Sequence, residues 1–469
     1  MIVLPNTPCT PKLLKGCVIT PGGLISPETL SLRASINSCA PSNHADLTQY
    51  MLRIEQYLES IFGDLVAHTH VGSLSDIAQA ASGAKLATTV PWTNIVPVKS
   101  AKPMRLQKAV VEWSVATEIV ATIIAIAETY MRLGADLIDD LLDEEAGENA
   151  SFLAKEVDQK WKSVAEYYKS AISLINFGAS FQTAAGATAS ENPPQEAPHL
   201  PASPSSCPPV MFNPVIFALF DKICNIGIQM SILCKSSWMN RSSLSAKDSF
   251  VSSNNGVLCR VAIWIFNEVS ACQNLILDLS KSNINPAVLG LNYDKWSEYL
   301  AVFFKYVTAY SGLFLAIEYY QKSKLGQAIG LINFSLLTLQ SKNLGDTKKR
   351  GLNRIRSKIS GRKNDSFVAN LQSVTSIDID KSVFSESSGA VLSDLSLLFD
   401  SLVSLHLKFS KENDNLRFEA VADWKDTRAD SKWPLGAKIP VSPAKEYLPR
   451  AMGCSSGVDV RENKHSSYF

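Results

Sequence analysis

The segment Ile119 to Ala127 constrains the fold more than any other. It lies at the centre of a helical pattern running from Leu106 to Leu142, and it is apolar on every side. A helix with no polar face has to be enclosed by others, so the chain needs several further helices around this one. The apolar spacing supplies them. Leu47, Tyr50, Met51, Ile54, Tyr57, Leu58, Ile61, Phe62 and Leu65 recur at helical intervals within Asp46 to His68. Further helices are predicted over Phe152 to Phe181, Val215 to Arg241, Gly256 to Lys281, Pro286 to Lys322, Gln327 to Ser341 and Ala390 to Ser410. The four residues Ser323 to Gly326 join two of these, and so short a connection makes them an antiparallel hairpin of the kind stacked in solenoids. No fixed-length repeat runs through the chain, which argues against an array of identical units.

Between the helices the composition changes. Residues 1 to 42 are rich in Pro, Ser and Gly and read as an extended arm laid on the helical body. Pro193 to Pro214 holds eight prolines among Ser and Ala and reads as a flexible insertion. Leu416 to Val421 is short and alternating, and from Trp433 onward no period is sustained.

Tyr299 to Ile317 is apolar enough to be weighed as a membrane span, but Lys305, Tyr306, Thr308, Tyr310 and Ser311 interrupt it, and a helix buried within the protein is the expectation. The N-terminus lacks a basic region followed by an apolar run, and Pro5, Pro8 and Pro11 oppose a signal helix. The nine cysteines include no CxxC pair and suggest neither a zinc ribbon nor a disulfide framework. A net charge of +1 argues against a broad nucleic-acid surface. The chain therefore reads as a soluble, cytosolic, mainly α protein.

Several strings imitate catalytic motifs. Asp139-Asp140-Leu141-Leu142-Asp143 could place carboxylates on one helix face to hold magnesium against a diphosphate, as in an all-α prenyl-transferring enzyme. The nearest second acidic motif, at Asp400, has Lys408 where the last carboxylate belongs, so an acidic helix end is the stronger reading. Gly453-Cys454-Ser455-Ser456-Gly457 fits a nucleophile-elbow pattern, yet no strand-turn-helix context precedes it. His68 and His70 lack further ligands for a metal and suit the negative end of a helix. Lys348, Lys349, Arg350, Arg354, Arg356, Lys358, Arg362 and Lys363 form a run with no acidic residue. It could meet anionic lipid at about 1 kcal/mol per side chain, or remain a solvated loop.

Lys324-Leu325-Gly326-Gln327-Ala328-Ile329-Gly330-Leu331-Ile332 resembles the Bro-domain signature. Gly326 is expected to serve the tight turn through a positive φ, with Ile329 and Ile332 packing onto the preceding helix. Ala165-Glu166-Tyr167-Tyr168-Lys169 with Ala171 is similar to the family's central helix. Lys411-Glu412-Asn413-Asp414 followed by Phe418 and Val421 is similar to its closing segment. The opening Val3-Leu4-Pro5-Asn6-Thr7 and the length are most similar to the family's fungal ambient-pH signalling branch.

The resemblance implies a mainly α, elongated, banana-shaped solenoid with a tetratricopeptide-like core and a few short extended or β segments towards the termini. It implies a Bro domain over residues 1–440, carrying the Pro/Ser-rich insertion 187–213 and the basic loop 346–365, and an irregular tail over 441–469. It further implies a non-enzymatic adaptor, without cofactor or metal, that binds the C-terminal amphipathic helix of an ESCRT-III subunit and other pH-signalling components. The groove would be formed by Ile172, Ile175, Ile223 and Gly227, with core packing as the competing reading for Ile175 and Ile223. Lys348, Lys349, Arg350, Arg354 and Arg356 would supply contacts to an anionic surface during peripheral recruitment to endosomes or plasma-membrane foci.

Overall fold

The computed structural model describes residues 8–14, 23–37, 44–69, 73–97, 112–143, 150–191, 210–247, 254–281, 288–293, 296–339, 389–423 and 433–453. It is mainly α. Short helices α1 (Pro27–Asn37) and α3 (Leu74–Gly83) flank α2 (His44–Thr69). There follow α4 (Val115–Asp143), α5 (Ala150–Glu191), α6 (Val215–Lys247), α7 (Asn255–Lys281), α8 (Trp296–Gln321), α9 (Leu325–Thr338) and α10 (Gly389–Glu412). Each of α4 to α9 packs on its sequence neighbours, and α10 closes against α9, α8 and α4. That order of contacts is the stacked arrangement the short connections called for.

The apolar centre of α4 is enclosed as its composition requires: Ile119, Ile123, Ile124 and Ile126 are fully buried. Helices α6 and α8 are long and apolar enough to cross a membrane by length and composition, and in both most of the apolar stretch is packed inside the protein. In α8, Tyr306 and Tyr310 are fully buried, and their rings meet edge to face with centroids 5.1 Å apart.

Several boundaries differ from the expectation, each for a local reason. Of the pattern begun at Leu106, residues 106–111 lie outside the described residues, and the described helix starts at Val115. Before it, β3 (Trp113–Ser114) pairs antiparallel with β1 (Lys85–Ala87), and Trp113 turns inward to donate its indole N–H to Glu118. The helix anticipated from Pro286 begins at Trp296, because β5 (Val288–Leu291) forms the middle of a small sheet, antiparallel to β2 (Ile95–Pro97) and parallel to β4 (Met211–Phe212). Inside the anticipated arm, α1 is held by Arg33. After α2, the unanticipated α3 is capped by Ser73, whose hydroxyl accepts from the Asp76 amide.

One buried carboxylate ties these small elements to α4. Glu118 accepts Arg33 Nε at 2.6 Å, the Tyr57 hydroxyl at 3.0 Å, and the indole N–H groups of Trp92 and Trp113 at 2.9 and 2.7 Å. Arg33 spends its other N–H groups on the carbonyls of Lys12 and Pro91. The pair is 4% and 1% exposed, so both charges are compensated without water. Nearly three turns further along α4, Glu128 accepts the Cys9 amide at 2.7 Å and fixes the start of the described chain.

Gly326 does not take the positive φ expected of it. Ser323 does, at 58°, as the left-handed residue of the α8–α9 connection. Gly326 lies within the first turn of α9, where the absent side chain serves close approach: a Cβ there would stand 2.2 Å from the Ala420 carbonyl oxygen. Gly330, one turn on, gives the same room to Ala422. Residues 419–422 thus lie along α9, with the Gly326 amide donating to Glu419 at 2.8 Å and the Ala422 amide donating to the Gly326 carbonyl at 3.1 Å.

Candidate functional site

The groove residues named from the sequence lie at the crossing of α5 and α6. Gly227 on α6 lets α5 come close, because a Cβ there would meet the Tyr168 ring at 2.5 Å. Ile175 and Ile223 are each 1% exposed and belong to the core, while Ile172 is half-buried. Of the four, only Ile172 offers side-chain surface to another molecule. Aspartate at Ile175 or Ile223 would bury a charge and disturb the fold, so those two positions support the face from beneath.

Over the outer side of these helices runs Trp433–Pro449, an irregular segment followed by the helical turn Arg450–Gly453, in a region where the sequence sustains no period. Its path is set by residue-level contacts. Trp433 meets Phe334 of α9 edge to face, with centroids 5.5 Å apart. Gly436 touches the backbone of α7, where a Cβ would be 2.7 Å from the Trp264 nitrogen, and the Ala437 amide donates to the Arg260 carbonyl. On α6, Gln229 both accepts from the Ile439 amide and donates to its carbonyl, each at 2.9 Å. On α5, Lys169 donates to the Ser442 hydroxyl at 2.7 Å, and the Ser173 hydroxyl donates to the Lys445 carbonyl. Tyr447 packs on Phe177 at 5.2 Å and donates to Glu59 of α2, which also accepts the Arg450 amide. The strap thus crosses α7, α6, α5 and α2 in turn. Pro434, Pro440, Pro443 and Pro449 favour such an extended course, and they were the one signal for it in the sequence.

The enzyme-like strings come out as follows. Asp140 is exposed at the end of α4, and the side chains of Asp139 and Asp143 lie outside those described. Among the described residues no three His, Cys, Asp or Glu side chains are grouped closely enough to hold a metal ion. Residues 454–457 and the basic run with Lys348, Lys349, Arg350, Arg354 and Arg356 lie outside the described residues. His68 directs Nδ1 at the Asp64 carbonyl, 2.8 Å away in the last turn of α2, and His70 is outside the described set. Cys9, Cys224, Cys234, Cys259 and Cys272 are buried thiols outside any disulfide.

A cavity of about 260 Å³ lies between α3, α4, α5 and β4. Its polar lining is largely consumed: the Gln182 amide is paired in both directions with the Phe212 backbone, and Thr117 donates to the Val210 carbonyl. Burial raises Glu128 to about 7, and the same cause lowers His406 to about 4.

Fold and face together define a stacked-helix protein whose most elaborated surface is a strapped face on α5 and α6. The chain belongs to the family of unknown function DUF5355, whose model matches residues 113–469. No curated protein matches it. Among solved structures it is similar to a Bro1 domain studied for endosomal targeting, at 12% identity over 88% of this chain and 83% of that one, with a TM-score of 0.40. It is also similar to a chain of the ALIX BRO1–CHMP4C complex, at 12% identity over 94% of this chain and 96% of that one, with a TM-score of 0.43.

Proposed function

We propose that this chain is a non-enzymatic adaptor of the Bro-domain type, whose α5–α6 face receives the C-terminal amphipathic helix of an ESCRT-III subunit. In this reading it works as fungal PalC does in ambient-pH signalling: it helps assemble the complex that leads to proteolytic activation of a transcription factor. One observation carries the proposal. The two stretches that resemble the Bro-domain signature and its closing segment, about ninety residues apart, pack directly on each other through Gly326, Gly330 and residues 419–422. Two chance resemblances would have no reason to meet.

Recognition is then helix in groove, with a few aliphatic anchors supplying most of the affinity. Ile172 is the anchor on the surface, and Ile175, Ile223 and Gly227 shape the floor beneath it. The run Lys348, Lys349, Arg350, Arg354 and Arg356 would add attraction to anionic membrane at endosomes or plasma-membrane foci, which vesicle sedimentation with and without phosphatidylserine checks.

The test is fluorescence anisotropy with labelled C-terminal helices from each ESCRT-III subunit. One of them should bind the wild-type chain, and Ile172→Asp should weaken it at least about tenfold, the size of a modest hot spot. Equal binding by a folded Ile172→Asp variant, or no binding by any helix, would refute the assignment.

A further inference from the structure

We infer that Trp433–Pro449 is a built-in competitor for the partner face, so that the incoming helix binds only as the strap lifts. The inference rests on the function proposed above and concerns how that same face is regulated.

The first argument is footprint. Lys169, Ser173 and Phe177 of α5 and Gln229 of α6 all contact the strap. Ile172 follows Lys169 by three residues and so shares its side of α5. A helix about 10 Å across with its side chains cannot occupy this face while an extended chain crosses it.

The second argument is how lightly the strap is held along its middle. Leu435, Val441 and Leu448 are 89%, 42% and 55% exposed, although they are apolar. Between the Gly436 contact on α7 and the Tyr447 contact on α5, Ile439 and Ala444 are half-buried and Ser442 accepts from Lys169, while the other residues are exposed. Pro440 and Pro443 bring no amide hydrogen to this stretch. A segment whose side chains are mostly exposed opens more readily than a packed element. Its attachments at the two ends are better made, so release of the middle leaves the strap tethered close by.

The third argument is chemical. Gln229 is 2% exposed, and its side-chain amide is paired in both directions with the Ile439 backbone. When the strap leaves, that amide needs a new donor and a new acceptor. The backbone of an incoming helix is already paired within itself, so a partner with a polar side chain, such as Asn or Gln, opposite Gln229 is favoured over one that leaves the amide to a bridging water. The same preference gives the face a means of discriminating between otherwise similar amphipathic helices.

The experiment uses the full chain and two variants that loosen the strap from opposite ends. Gly436→Val places a branched side chain where even a Cβ would collide with the Trp264 backbone. Tyr447→Ala removes the Phe177 and Glu59 contacts. Circular dichroism establishes that each variant is folded, anisotropy measures binding of the synthetic ESCRT-III helices, and hydrogen exchange follows the Ile439 amide. Both variants should bind at least about tenfold more tightly, as expected when the open form is at most a tenth of the wild-type population. Adding the helix to the wild-type chain should deprotect Ile439. Equal affinity in all three proteins, with Ile439 still protected in the bound wild type, would overturn the strap inference and leave the function standing. Binding to none of the three would bring down the function, and the strap inference with it.

Discussion

Glu128 makes folding stability fall as pH rises, and the structure gives the size of the effect. Its carboxyl is enclosed on α4, accepts the Cys9 amide, and is pushed by burial from 4.5 up to about 7. Between those two values the folded chain holds a proton that the unfolded chain has released, so stability declines with pH across this window and levels off above it. A shift of that size, at about 1.4 kcal/mol per unit, amounts to about 3 kcal/mol lost between pH 4.5 and 7. Cys9, Tyr50 and Tyr293, which face the same carboxyl, all have raised pKa values and do not change charge there. His406 acts with the opposite sign. Its folded-state value of about 4 means that stability rises with pH up to its ordinary 6.5, so the wild-type profile alone blends two slopes. Glu128→Gln separates them. Whatever constant offset the amide introduces, the variant's stability relative to wild type should climb by about 3 kcal/mol from pH 4.5 to 8. Urea denaturation at half-unit pH intervals reads this difference. Parallel wild-type and variant profiles would show that Glu128 does not hold a proton near neutrality.

Two further perturbations probe the elements that position the face. Arg33→Met should cost about 3–5 kcal/mol, because it leaves the buried Glu118 carboxylate without its counter-charge; a loss under about 1 kcal/mol by urea titration would mean that Tyr57, Trp92 and Trp113 suffice to solvate it. Gly326→Val should lower stability by about 1–3 kcal/mol through overpacking and should expose the Ala422 amide to rapid hydrogen exchange. Unchanged protection at Ala422 would refute the close approach of residues 419–422 to α9.

Much of the helical scaffold was legible because its signal is local. The enclosed centre of α4, the apolar stripe of α2 and the α8–α9 hairpin follow from spacing alone and are present, although the described α4 and α8 start nine and ten residues later than expected. What escaped was decided by partners far along the chain. Leu106 to Ser114 continues the apolar character of α4, and nothing in it announces that Trp113 will be drawn off by Glu118 and by strand pairing with Lys85–Ala87. Val288–Leu291 is a strand only because Ile95–Pro97 and Met211–Phe212 arrive on either side of it. The role of Gly326 was misread for a related reason. A glycine beside a turn suggests a positive φ, whereas the demand for a missing side chain came from Ala420, about ninety residues away.

The same distinction governs the candidate face. Ile175 and Ile223 drew attention because they are aliphatic residues on helices that the resemblance singles out, but a groove is a property of the surface, and periodicity cannot tell a floor residue from a rim residue when both sit on broad apolar helices. Ile172, one turn before Ile175, becomes the accessible position only once neighbouring helices have covered the other two. The strap is the extreme case. Its contacts with Arg260, Gln229, Ser173 and Glu59 span four helices, and most of them use backbone groups that every residue possesses. Composition therefore carries almost no trace of where it docks. Prolines can say that such a segment is extended; its docking is written in the partners, above all in Gln229, whose buried amide on α6 is paired in both directions with the Ile439 backbone. Any molecule that displaces the strap meets that same amide, which makes Gln229 the residue where the chain's own tail and an outside partner would compete on equal chemical terms.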